Sequence, residues 1–261
     1  MTDGWQPKQY ARFRVEREEP FHDLLKLLQP VKGGQVVDLG CGTGSLTKVL
    51  HEKLEASETV GIDQSEAMLS QSHAGGGVRF EKANITAFSA KGLDVVFSNA
   101  ALQWLPDHET LFWRLAGMLG DGGQLAVQMP ANHNHPSHTI AHTLARTPKY
   151  AEPLGGYVRE NPVQEVEWYT KLLAQIGFEE QNVSQRVYLH NLTGPLEVVE
   201  WVKGSLLTDY RNRLGQEDYE KFLADYQERI LTELPDEHPY LYAFNRILLW
   251  GRLTTTRKIT G

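Results

Sequence analysis

From Val36 to Gly44 the chain reads Val-Val-Asp-Leu-Gly-Cys-Gly-Thr-Gly, and an amphipathic run from Ser45 to Leu54 follows at once. Apolar residues bracketing Asp38 predict a buried strand. The glycines at 40, 42 and 44 predict a tight turn, and the run after them a helix whose first amides point at a ligand. A glycine turn leaves no Cβ between main chain and ligand, so a flat, nucleotide-like molecule can press against it. A P-loop would place Lys and Ser/Thr directly after the last glycine, whereas Ser45-Leu46 follows Gly44. A dinucleotide loop would carry its third glycine at 45, where serine stands. A nucleoside without phosphates is left as the expected ligand.

The order of elements that follows predicts a doubly wound sheet. Thr59–Asp63 is a strand ending in a carboxylate one strand-helix-strand unit after Asp38, where it can accept both ribose hydroxyls. Ser65 caps the next helix, with Gln64 and Met68 beside it, and Met68 can pack on a purine. Val78–Ala83, Leu93–Asn99 and Gln124–Met129 are further strands, with a helix over Glu109–Leu119 stopped by Gly120-Asp121-Gly122-Gly123. Gly40, Asp63, Asn84 and Asn99 all fall at carboxyl ends of strands, where α/β sheets bind ligands. A short helix entered at Pro20 is expected over Phe21–Leu28.

Alternation fails from Pro130 to Asn161. Three histidines, His133, His135 and His138, crowd this stretch without cysteine or helical spacing, so a polar loop or substrate contact is expected rather than a metal site. Helices over Val163–Ile176, Thr193–Leu207 and Gln216–Leu234, with strands over Phe178–Leu189 and Tyr240–Leu253, complete the chain. The organisation expected is one domain over 1–261, with an N-terminal arm at 1–20, a substrate-side insert at 131–161 and a helical cap at 191–239.

At 261 residues, 41% hydrophobic and 23% charged, the chain can bury one such core. Its net charge of −7, with no basic block longer than Arg257-Lys258, argues against a nucleic-acid partner. No apolar run reaches membrane-spanning length and no signal-peptide core is visible, so no membrane partner is expected. The lone Cys41 cannot form an internal disulfide, and a cytoplasmic setting is expected. Whether the protein is a monomer or a dimer is open at this level.

The strand, acidic residue, glycine turn and helix resemble the first motif of the class I S-adenosyl-L-methionine (SAM)-dependent methyltransferases. Asn99-Ala-Ala-Leu-Gln-Trp-Leu-Pro-Asp-His-Glu-Thr-Leu-Phe112, Leu125-Ala-Val-Gln-Met-Pro130, Pro136-Ser-His138, Tyr188-Leu-His190, Glu200-Trp-Val202 and Trp5-Gln-Pro7 narrow this. They look like the trans-aconitate methyltransferases over nearly the whole chain. The resemblance implies a Rossmann-like, seven-stranded, mostly parallel sheet with its last strand antiparallel. It also implies SAM as donor, S-adenosyl-L-homocysteine as product, and monomethyl esterification of a small polycarboxylic acid. Carried over residue by residue, cofactor binding falls on Asp38, Gly40, Gly42, Gly44, Asp63, Gln64, Met68, Asn84, Ile85 and Asn99, with Gln103 and Tyr10. Asn84 stands where the family usually has an aspartate facing the adenine amino group.

A carboxylate acceptor is already anionic, so no general base is expected. The site need only align oxygen, methyl carbon and sulfur and exclude water. Trp104 as an apolar wall, and His133, Tyr157, Arg186, Tyr188 and Trp201 as groups around the acid's remaining carboxylates, are the expected acceptor contacts. Two rivals stay open: transfer to a neutral or phenolic metabolite, which needs a histidine base, and a SAM-binding protein without transfer activity.

Overall fold

The computed structural model describes residues 14–254. Tyr10, and with it most of the expected N-terminal arm, lies outside the described residues. The described residues divide into two compact units: 17–130, 162–186 and 246–254 form the first, and 14–16, 131–161 and 187–245 the second.

The first unit is built on a sheet. Its strands are β1 (Gln35–Leu39), β2 (Glu58–Asp63), β3 (Val78–Lys82), β4 (Leu93–Asn99) and β5 (Leu119–Pro130). Later in the chain come β6 (Phe178–Leu192) and β7 (Tyr240–Leu253), and the seven lie in the order β3-β2-β1-β4-β5-β7-β6. β1 to β5 pair in parallel, and β7 runs antiparallel to β5. Buried on both faces, β4 is apolar throughout its middle, as a central parallel strand must be. Chain order runs one way from β1 to β3 and the other way from β4 to β5. Right-handed crossovers therefore put the connecting helices on opposite faces and open a crevice between the ends of β1 and β4.

Helix α1 (Arg14–Leu25) and α2 (Ser45–Leu54) share one face. Phe21 meets Phe97 edge-on at 5.5 Å, and Thr47 reaches Asp38, the register partner of Phe97. Here α1 departs from the sequence expectation: it begins six residues before Pro20, which lies inside it. The short α3 (Glu66–Leu69) is capped by Ser65, whose hydroxyl accepts from the Met68 amide at 3.1 Å. The turn before β5 is another departure. Gly120–Gly123 belongs to the strand, because Leu119 already pairs with Leu93 and the register shifts before Val95 pairs with Gln124. A Cβ at Gly123 would sit 2.9 Å from the Gly120 carbonyl, so the bend requires glycine. Helix α4 (His108–Ala116) then packs with α7 (Val166–Ile176) through Phe112 and Tyr169, 5.3 Å between rings.

The second unit holds α5 (Pro136–Ala145), α6 (Pro148–Ala151), α8 (Pro195–Lys203), α9 (Leu206–Arg213) and α10 (Gln216–Glu233). The single helix expected over Thr193–Leu207 is two, interrupted at Gly204-Ser205. Its core is rich in tyrosine, and the hydroxyls are paired: Tyr226 donates to the Ser137 carbonyl at 2.7 Å and Tyr150 to Asp225 at 2.7 Å. Tyr210 stacks on Phe222 at 5.1 Å.

Gly44 decides how closely the glycine turn can approach β3. Its φ is +74°, and a Cβ there would stand 2.4 Å from two atoms of the Phe80 ring. Gly44→Ala is expected to destabilise the fold by about 2–4 kcal/mol, from overpacking plus left-handed strain. Adding Phe80→Ala should recover part of that, as read by urea unfolding; an unperturbed midpoint for Gly44→Ala would contradict the packing described.

Candidate cofactor and acceptor site

The glycine turn is stitched to β2 before any ligand is considered. The Gly40 and Cys41 amides both donate to the Ile62 carbonyl, at 2.8 and 3.0 Å. Asp63 then completes the work with its two oxygens. Oδ2 accepts from the Gly42 amide at 2.9 Å, and Oδ1 accepts from the Ser65 amide at 2.8 Å. The carboxylate thus fixes the turn and the start of α3 together. Gly40 is needed because a Cβ there would fall 2.3 Å from Ala101 Cβ, on the loop leaving β4. Above Gly42 lies the Met68 methyl, 3.7 Å from where a Cβ would stand, and the Ile85 side chain lies at the same distance from position 40. The N-terminus of α2 carries no side-chain cap, so its amides point into the turn.

Asp38 is only 4% exposed, and its carboxylate accepts from the Thr47 hydroxyl at 2.6 Å. Burial above all, with repulsion from Asp63, pushes its pKa up to about 7 against the pull of Thr47. It braces the strand end against α2. Burial and the same two carboxylates hold the Cys41 thiol well above its ordinary range, so it stays protonated and unreactive.

The far wall of the crevice is made of side-chain amides. Among the described residues, Asn99 Oδ1, Gln103 Oε1 and both amide atoms of Gln128 are buried without a hydrogen bond. Asn99 and Gln128 are register partners on β4 and β5 and so share a face. Gln103 is oriented by its own Nε2, which donates to the Ala100 carbonyl at 2.7 Å. Ala100 sits at φ +55°, a left-handed conformation that a non-glycine residue adopts at a cost. Each unmet buried amide atom costs about 1–3 kcal/mol. Three acceptor oxygens at one rim suit a ligand that brings N–H or O–H donors, and the glycine cradle beside them suits a flat ring. The residues present therefore fit a nucleoside that carries an ammonium group.

The remaining candidates are distributed as follows. Gln64 is exposed. Asn84 is exposed too, and its oxygen already accepts from the Thr86 amide and hydroxyl, at 2.8 and 2.9 Å, which uses both lone pairs. Trp104 is half-buried in the turn Leu102–Trp104, next to Gln103. Arg186 is held by Asp23 at 2.6 Å, within the first unit. In the second unit Tyr188 and Trp201 are buried, and Trp201 stacks on His190 at 4.5 Å. Also there, the Tyr157 hydroxyl donates to Asp209, and His133 keeps a buried Nδ1 without a hydrogen-bond partner. Gln128 escaped the sequence reading; a glutamine inside the apolar run Leu125–Met129 was the signal that could have found it. No group of metal-ligating side chains is assembled among the described residues, and no described helix is long and apolar enough to cross a membrane.

Comparison with known proteins gives the same outline. A family model described as a methyltransferase domain matches residues 37–127. The chain is 39% identical over 252 residues to the trans-aconitate 2-methyltransferase of Deinococcus radiodurans, covering 94% of this chain and 96% of that one. Proteins of the same name from Variovorax paradoxus and Escherichia coli O7:K1 are 34% and 32% identical, covering 94% and 97% of this chain and 96% and 100% of theirs. Among solved structures, the Bacillus subtilis YcgJ protein superposes with a TM-score of 0.57 at 13% identity, over 91% of this chain and 99% of that one. Haemonchus contortus phosphoethanolamine N-methyltransferase 2, in complex with SAM, gives 0.53 at 16%, over 95% and 59%. Such distant likenesses speak for the fold alone.

Two measurements test the site. Asp38 binds its proton more tightly folded, near pH 7, than unfolded, near 3.8, so its contribution makes stability fall as pH rises from about 4 to 7. Asp38→Asn, which keeps an acceptor for Thr47, should remove that slope; its stability relative to the parent should climb between pH 5 and pH 8, by up to about 3 kcal/mol, as read by urea unfolding. Asp63→Ala should weaken S-adenosylhomocysteine binding by roughly 100-fold and also lower stability by about 2–4 kcal/mol, since two charge-assisted main-chain bonds go with it. A variant that loses neither would refute the double tether.

Proposed function

The chain belongs to the trans-aconitate methyltransferase family of SAM-dependent enzymes, and from that premise we propose that it methylates a carboxylate of a small polycarboxylic acid. Trans-aconitate is the first candidate acceptor, and the product is a monomethyl ester. The observation that carries this reading is the reach of the likeness. It spans 94% of the chain, so it includes the unit lying outside the matched methyltransferase domain at 37–127.

Bound SAM supplies a methyl group on a sulfonium cation, an already activated leaving arrangement. The rest falls to the protein. In this reading the Cβ-free face of the 40–44 turn and Met68 pack against the nucleoside, and the Asp63 carboxylate faces its ribose. Asn99, Gln103 and Gln128 receive the ammonium end, where their unmet oxygens point to such a partner. Trp104 is the apolar wall that keeps water from the reacting atoms. The acceptor carboxylate is ionised at neutral pH, so no side chain has to remove a proton. Bringing an anion up to a cation in a site of low polarity lets charge neutralise as the bond forms, and alignment is then the main catalytic work. A cytoplasmic setting belongs to this reading, resting on the single unpaired Cys41.

The rival, transfer to a phenol, needs a base. Burial holds His135 and His138 down at about 4 and 3, which makes both poor proton acceptors at neutral pH. His108 is lowered as well, and its ring is tied to Tyr169 and the Leu102 carbonyl. Incubation with methyl-labelled SAM and trans-aconitate, citrate, itaconate or a fatty acid tests the reading directly. Base-labile label on trans-aconitate, with kcat/KM level from pH 7 to 9, is expected. Base-stable label, or label on a phenol with a limb near the histidine range, would overturn it.

A further inference from the structure

Two side chains of α4 hold main-chain carbonyls of the loops on either side of Gly40. At the head of the helix the His108 ring, 3% exposed, closes back on the turn before it. Its Nε2 lies 3.1 Å from the Leu102 carbonyl, and its Nδ1 lies 2.5 Å from the Tyr169 hydroxyl. Chemistry fixes the roles along this chain. A carbonyl only accepts, so Nε2 carries the proton. Nδ1 of the neutral ring then accepts from Tyr169, whose oxygen accepts in turn from the Gln164 amide at 3.1 Å. One neutral imidazole in a single tautomer thus ties the turn Leu102–Trp104 to α7. Burial lowers its pKa, which keeps that form at neutral pH.

Toward the other end of α4, the Arg114 guanidinium spans the loop after β3. Its two Nη atoms donate to the Ile85 and Phe88 carbonyls, at 2.7 and 2.9 Å. That loop is already tight, because the Asn84 carbonyl accepts from the Ala87 and Phe88 amides at 3.0 and 2.9 Å. A planar fork holds two carbonyls at once; an ammonium, a point charge on a flexible stem, does not. The helix between the two groups is firm. Asp107 caps it, accepting from the Thr110 amide at 3.1 Å, and Leu111, Phe112, Leu115 and Ala116 are buried. Helical rise sets His108 and Arg114 roughly 9 Å apart along its axis. Both loops abut the glycine cradle, since Ala101 Cβ and Ile85 Cδ1 lie 2.3 and 3.7 Å from where a Cβ on Gly40 would stand. Gln103, with its buried unmet oxygen, rides on the turn that His108 holds.

We propose that α4 is the spacer that sets the two walls of this crevice, with His108 and Arg114 as positioning residues. His108 acts through the turn of Gln103 on the amino-acid end of the cofactor, and Arg114 acts through the loop of Ile85 on its adenosine. This rests on reading the crevice as the SAM site. Neither side chain has to touch the ligand. A loop whose carbonyls are already held loses little freedom when the ligand arrives, so more of the contact energy appears as affinity.

The test is calorimetry on the full-length protein with S-adenosylhomocysteine and with 5′-methylthioadenosine, which keeps the nucleoside and thioether but lacks the amino-acid end. His108→Leu should weaken S-adenosylhomocysteine roughly 10-fold and methylthioadenosine less than about threefold. His108→Gln, whose amide N–H can still reach the Leu102 carbonyl, should recover most of that loss. Arg114→Met should weaken both ligands alike, by roughly 10-fold. Gln103→Ala should cost less in His108→Leu than in the parent, because the oxygen it removes is already misplaced. Equal losses of the two ligands in His108→Leu, parent-like binding of both by that variant, or strict additivity with Gln103→Ala would overturn the proposal. Should His108→Leu fail to fold, Tyr169→Phe decides by the same comparison, since it removes one hydroxyl and leaves the ring beside Phe112. A parent that binds neither ligand fails the reading of the crevice itself. Amide exchange in the ligand-free protein then still judges the His108 bracket. His108→Leu must quicken exchange at Trp104 and Leu105, whose amides bond within the held turn, and unchanged exchange there refutes it.

Discussion

Asp63 is where the structure of the site begins. One carboxylate receives the Gly42 amide and the Ser65 amide, and so closes the glycine turn and starts the following helix in a single interaction. Everything at that rim inherits its position from this clamp: the left-handed glycines, Met68 above Gly42, and the uncapped amides at the head of α2. A ligand that bonds to Asp63 therefore engages a group already under load. Binding and local stability are coupled there, because the same oxygens serve both.

Charge sets the chemistry of the first unit's rim. Carboxylates and neutral amides gather at the ends of β1, β2, β4 and β5, with Asp63 near enough to raise the cost of ionising the buried Asp38. Such surroundings suit a cation better than an anion.

Much of this was legible in the sequence wherever hydrophobic pattern and punctuation agree. Leu93–Asn99 and Tyr240–Leu253 are strands within the bounds their apolar runs predict. Ser65 caps α3 as its position before Glu66 suggests. What went astray was local signal overridden by packing. Gly120–Gly123 looks like a helix stop but is carried into β5 by the pairing of Leu119 with Leu93. Gly204 splits a helix that periodicity alone makes continuous. At the site, spacing found Asp63 but could not tell a ribose acceptor from a tether for its own loop, since both need a carboxylate at the strand end. Asn84 sits at the expected strand end with its oxygen spent on Thr86. Gln128 gains its meaning only from Asn99, its register partner on β4, which lies far away in sequence.

The central claim is that the turn at 40–44, the Asp63 clamp and the amide wall at 99–103 close on one adenosyl ligand. Hydrogen–deuterium exchange with and without S-adenosylhomocysteine measures this most directly. Slowed exchange confined to the amides of residues 40–47, 63–69 and 99–104 is the predicted result. Saturating ligand that leaves those amides unchanged, or protects a different region instead, would contradict it.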